Sequence, residues 1–158
     1  YGQGVYYDDR HLLYSVRSSL SPAFGFCADV RKAGVDWVLV RRIAEQWRRV
    51  APCFLGDFYP LTPYRLDNDV WMAWQFDLPE KGEGMVQVFR REHSAYEAAR
   101  FPLHGLDASG RYAVMSLDEP SAQQELAGRE LLESGLQVLL KEKPAAAIFF
   151  YKRAAAKP

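Results

Sequence analysis

Carboxylates set beside aromatic rings are the first residues in this chain whose types could do chemistry. Tyr6-Tyr7-Asp8-Asp9 places two acids against two phenols. An aromatic ring stacks on the apolar face of a pyranose while an acid binds its hydroxyls, so the pattern suits a sugar. A solvated loop whose tyrosines cover a neighbouring domain fits the same residues. Arg17 could hold a carboxylate by bidentate contact, or form a surface ion pair worth little. Asp29 closes the apolar run Ala23-Phe24-Gly25-Phe26-Cys27-Ala28. An ordinary strand-to-helix loop asks for Asp there, as does an ion pair with Arg31 or Arg17, and these duller roles weigh more. Even so, Asp29 is the first candidate for substrate contact, followed by Arg17, Tyr7 and Asp8.

Other chemistry-bearing residues read as structural. Cys27 and Cys53 lie in apolar surroundings and make no disulfide framework. They suit two buried thiols in a reducing, cytoplasmic compartment. With scattered His11, His93 and His104 they have no metal-ligand spacing, so no metal and no cofactor are expected. Asp67-Asn68-Asp69 lacks the Gly and terminal Glu of a calcium loop and reads as a turn. Glu130 and Glu133 are spaced for a solvated helical turn. His93 and His104 sit near turns and read as surface residues.

These residues must be positioned by elements that the hydrophobic pattern lays out. Residues 1–22 read as a long loop with a turn of helix around Arg10–Ser19; long ordered loops are often functional. The apolar run from Ala23 suits a strand buried on both faces. Asp36 then precedes Val40, Ile43, Trp47 and Val50, which recur at helical spacing on one face. Asp36 is a good N-cap, and Pro52 stops the helix. Strand and helix make one βα unit, which cannot form a sheet alone. Pro60 and Pro63 mark a stiff, extended joint over residues 57–69.

Beyond the joint, turn signals separate short alternating runs. Strands are predicted at Val70–Asp77, Met85–Arg90, Ala98–Leu103, Arg111–Leu117, Leu136–Lys141 and Ala146–Lys152, with a helical turn at Gly128–Glu133. In the first of them Trp71, Ala73 and Gln75 face one way, Met72, Trp74 and Phe76 the other. This is the signature of an antiparallel sandwich over residues 70–153, with residues 154–158 a frayed tail.

The 158 residues amount to about one domain. Hydrophobic content of 49% supports a core and excludes the signature of disorder. Twenty Lys+Arg balance twenty Asp+Glu, which argues against nucleic acid as a partner. No apolar run approaches the roughly 18 residues that span a bilayer, so no membrane partner is expected either. The balance is uneven along the chain. Residues 1–65 hold 9 basic and 6 acidic side chains, and residues 66–158 hold 11 and 14. The chain starts at Tyr1 rather than Met and reads as a piece of a longer polypeptide.

Three stretches resemble the C-terminal end of glycoside hydrolase family 36, the α-galactosidase-like enzymes. They are Asp57-Phe58-Tyr59-Pro60-Leu61-Thr62-Pro63-Tyr64; Asp69-Val70-Trp71-Met72-Ala73-Trp74-Gln75-Phe76-Asp77 with Gly82-Glu83-Gly84-Met85-Val86; and Gly128-Arg129-Glu130-Leu131 with Gly135-Leu136-Gln137-Val138 and Ala147–Tyr151. Arg17-Ser18-Ser19-Leu20-Ser21-Pro22-Ala23 is similar to the family's last barrel section. The resemblance implies a mainly β chain: an antiparallel β-sandwich accessory domain preceded by the last βα unit of a TIM barrel, which residues 1–56 would supply. It implies a parent that cleaves terminal α-galactosides, as in raffinose-type sugars, with retention, and that could act as a homo-oligomer. Retention needs two carboxyl groups about 5–5.5 Å apart. The family's nucleophile and acid/base lie in earlier barrel motifs that these residues do not contain, so the catalytic residues are expected upstream and none is carried across.

Two roles for the sandwich follow: a structural cover for the barrel's last helix, or a non-catalytic carbohydrate-binding module. A binding module exposes coplanar aromatics on one face. Here 12 of the 22 Phe, Trp and Tyr fall in residues 1–65, which favours the structural role.

Overall fold

The computed structural model describes residues 9–23, 31 and 36–155. After Ala23 the strand expected to run to Asp29 lies outside the described residues, as do Cys27, Asp29, Tyr7 and Asp8.

Among the described residues two helices come first, α1 (Asp9–Ser18) and α2 (Trp37–Val50). Asp36 caps α2 as its position asks. One carboxylate oxygen accepts from the Val38 and Leu39 amides at 3.0 Å each, satisfying two of the first turn's orphan donors. Ile43 and Val50 are buried on the inward face, as the spacing predicts, and Gln46 joins them. Pro52 does not end the chain's winding. It sits in the first turn of a 3-10 helix, Ala51–Leu55, where its missing N–H costs nothing.

Eight strands follow: β1 (Asp57–Pro60), β2 (Trp71–Leu78), β3 (Glu83–Arg90), β4 (Ala98–Phe101), β5 (Arg111–Ser116), β6 (Gln124–Ala127), β7 (Leu136–Leu139) and β8 (Ala145–Arg153), with α3 (Gly128–Glu133) before β7. A six-stranded sheet has the order β1-β2-β3-β8-β5-β6, and β4 pairs with β7 in a two-stranded ribbon. Every pairing is antiparallel. The fold is therefore mainly β and antiparallel.

Two strands depart from the sequence expectation. The proline-punctuated segment begins with β1, paired Asp57↔Asp77 to Pro60↔Trp74. Proline is tolerated because β1 is an edge strand. The opposite edge, β6, is the short run Gln-Glu-Leu-Ala, which has no alternation to read.

The large sheet is covered on both faces, so β3 is buried along nearly its whole length. On one face Ala73, Val86, Val88, Tyr112, Val114 and Tyr151 pack against Phe101, Leu136, Val138 and Leu131 of the ribbon and α3. On the other, Met85, Ile148, Leu78 and Leu117 meet Leu20, Val50 and Cys53 from the helical segment. Rings seal that second layer: Tyr14 stands edge-on to Phe89 at 5.5 Å, and the Arg49 guanidinium lies 5.2 Å from the Phe150 ring centre. The helices are thus a third layer on the sandwich.

Candidate functional site

Two polar clusters sit on opposite faces of the large sheet. The first is built around Arg17, at the last turn of α1. Its side chain is 2% exposed. Nη1 donates to Asp118 Oδ2 at 2.9 Å and to the Ala146 carbonyl at 2.6 Å. Nη2 donates to Asp118 Oδ1 at 2.5 Å and, at 3.5 Å, to Gln46 Oε1 of α2. This fork-to-fork geometry is available to a guanidinium and not to an ammonium. The Arg17 carbonyl in turn accepts from Gln87 Nε2 at 3.3 Å, and Gln87 Oε1 accepts from the Trp74 indole at 2.6 Å. One residue thereby ties α1 to α2, β3, β8 and the segment after β5.

The second cluster faces the ribbon. Tyr151 donates to Asp77 Oδ1 at 2.5 Å. Gln75 Nε2 donates to the Tyr151 hydroxyl at 2.7 Å and to the His104 carbonyl at 2.8 Å, while Gln75 Oε1 accepts from the His104 amide at 2.8 Å. Burial pushes the Asp77 carboxyl above the usual carboxylate range, against the lowering effect of the Tyr151 hydrogen bond. Burial, then the Asp77 bond, pushes the Tyr151 phenol far above its ordinary value, so it remains a donor.

Of the four substrate-contact candidates, Arg17 is the one the structure describes. It is a buried anchor bonded through both terminal nitrogens, with Nε left without a partner, rather than a surface ion pair. Tyr7, Asp8 and Asp29 lie outside the described residues. His93 and His104 are exposed, with His104 stacked on Tyr59 at 5.1 Å. Asp67 pairs with Arg65 in an exposed turn, and Glu130 and Glu133 are solvated. Trp71 and Trp74 occupy opposite faces as the alternation requires. Both are half-buried and both indole N–H groups are used, by the Tyr96 carbonyl and by Gln87. Asp118, Gln46 and Asp77 were missed. Asp77 was within reach: it continues the Trp71, Ala73, Gln75 set that points inward. Asp118 carried no signal, since its partner is 101 residues away.

Two neighbouring grooves open between the helices and the β1–β2 edge. One, of about 450 Å³, is lined by Tyr14, Phe58, Tyr64, Phe89 and Arg91 among others; the second, of about 390 Å³, by Leu20, Pro22, Phe54 and Phe76; both share Phe58 and Trp74. Among the described residues, neither has an acid in its lining. A third hollow holds Glu125, which is ion-paired to Arg111. Among the described residues no three His, Cys, Asp or Glu side chains gather as a metal site. Hydrolysis with retention asks for two facing carboxyls, and the described residues of these grooves do not supply them.

The fold and its polar clusters define an accessory β-domain with a helical layer fastened to one face. A profile of the glycosyl hydrolase family 36 C-terminal domain matches residues 71–151, just over half of the chain, and the chain belongs to that family. Solved structures share the fold. The α-galactosidase from Lactobacillus brevis superposes with a TM-score of 0.61 at 17% identity, over 81% of this chain and 18% of that one. The family 36 α-galactosidase AgaB from Geobacillus stearothermophilus gives 0.60 at 19% identity, over 74% and 16%. The galactosidase domain of the α-galactosidase–sucrose kinase AgaSK gives 0.59 at 17%, over 73% and 16%. The chain therefore spans less than a fifth of the length of the structures it matches. No curated protein sequence matches it.

Proposed function

We propose that this chain is the C-terminal part of a retaining α-galactosidase-like glycoside hydrolase that acts on terminal α-galactosides, and that its sandwich is structural. In this reading residues 1–56 end the catalytic barrel and the catalytic acids lie upstream. The sandwich fixes the barrel's last helices in place. The observation that carries this is the Arg17 anchor: a buried guanidinium joins both helices to the sheet through Asp118, Ala146 and Gln46. Such a tie gives the helical segment one orientation on the sandwich, which is what a bracing domain must do. Grooves whose described lining holds no acid, and the occupied Trp71 and Trp74 indole N–H groups, support bracing over sugar binding. The parent would work in the cytoplasm, where a buried thiol such as Cys53 stays reduced, and could assemble as a homo-oligomer. The test is the longer protein that carries this chain. Supplied with an aryl α-galactoside, it should release galactose whose first-formed anomer is α. No turnover, or a first-formed β anomer, overturns the reading.

A further inference from the structure

Asp77 plays no part in the function proposed above, yet it is the sandwich's most confined acid. It is 2% exposed. Its Oδ1 takes one hydrogen bond, from Tyr151 of β8. Its Oδ2 lies against Gly105, where a Cβ would sit 2.6 Å away; that glycine has φ +74°, so the backbone approaches as only glycine allows. Through Tyr151 and Gln75 the carboxyl is linked to the backbone of His104, in the segment that follows β4. Directly across the register on β1 is another acid, Asp57.

The charged and titratable groups around it add no compensating cation. Asp57 from β1 and Glu80 from the turn after β2 both oppose a negative charge there. Tyr151 faces it from β8, with Cys53 of the 3-10 helix acting on that phenol. The His104 ring turns to Tyr59 instead. Among the described residues no Lys or Arg pairs with Asp77. An ionised Asp77 would hold its charge out of water on one phenol, beside two like charges. That arrangement favours the neutral acid.

We propose that the Asp77–Tyr151–Gln75 chain is a proton-controlled fastener of β2, β8 and the 102–107 segment: with Asp77 neutral it joins them at no electrostatic cost, and ionisation of Asp77 puts a confined charge beside Asp57 and Glu80 that destabilises their packing. The sign follows from linkage. The folded chain binds this proton more tightly than the unfolded chain does, so the stabilisation is complete below the ordinary Asp value of about 3.9 and is lost as pH rises through the folded value.

Thermal unfolding of the full chain and its Asp77→Asn variant, followed from about pH 4 to pH 7, tests this. Asparagine keeps the shape and an oxygen for Tyr151 but cannot ionise. The wild type's lead over the variant should shrink as pH rises, or change sign. A lead that stays constant or grows overturns the proposal. A carbon-13 NMR titration of the Asp77 carboxyl in the wild type decides the matter even where the variant does not fold. A midpoint above about 4 is expected, and one at or below it refutes the fastener.

Discussion

Removing the Asp118 carboxylate is the sharpest perturbation of the helix-to-sandwich tie. Asp118→Ala leaves the Arg17 guanidinium buried with the Ala146 carbonyl and a long contact to Gln46. Breaking a fully buried pair from one side costs about 3–5 kcal/mol, because a charge is left without compensation. An exposed pair contributes about 0–1 kcal/mol. Arg17 is 2% exposed and Asp118 37%, which sets this pair between those limits, at about 2–3 kcal/mol. For a domain of this size that corresponds to a drop in Tm of roughly 4–12 °C. Urea unfolding at pH 7, read by tryptophan fluorescence, gives the free energy directly. The Arg111–Glu125 pair is the control, with side chains 58% and 53% exposed; Glu125→Ala should cost under about 1 kcal/mol. An Arg17→Met/Asp118→Ala cycle should show coupling. A cost for Asp118→Ala no greater than for Glu125→Ala would refute the claim that Arg17 is a buried anchor.

Two further outcomes follow from particular contacts. A Cβ at Gly84 would lie 2.3 Å from the Tyr151 hydroxyl and 2.4 Å from the Phe76 carbonyl. Gly84→Ala should therefore cost at the upper end of the roughly 1–3 kcal/mol of overpacking, measurable by the same unfolding assay, and a neutral effect would contradict the packing described. Cys53 is buried, and burial raises its thiol pKa to about 11. In a Cys27→Ser background it should resist an aromatic disulfide reagent at pH 8 in native buffer and react promptly in urea; rapid native labelling would place the thiol at the surface.

Much of the sandwich was legible because its strands carry their own punctuation. Met85–Arg90 and Ala146–Lys152 differ from β3 and β8 by a residue or two at the ends. The helical turn at Gly128–Glu133 matches α3. β1 was hidden by prolines, whose stiffness reads as a linker until the edge position excuses the missing donor. β6 was hidden because its four residues, two polar and then two apolar, show no alternation to read. The site was less legible than the fold. Arg17 was singled out as a binder of carboxylate, and it binds one, but the partner Asp118 follows β5, 101 residues along the chain. A contact closed over that length of chain leaves no local trace. Asp77 was visible in principle, since period two carries its side chain inward; an acid at the end of an apolar run reads first as the strand's exit.

The central claim, that this chain braces a sugar-cleaving enzyme without doing the cleavage, is tested most directly on the chain itself. The full chain is incubated with an aryl α-galactoside and titrated in parallel with raffinose by calorimetry. The account predicts no release of the aryl group and no saturable heat. Turnover that disappears on Asp29→Asn would put the chemistry inside these residues and contradict it.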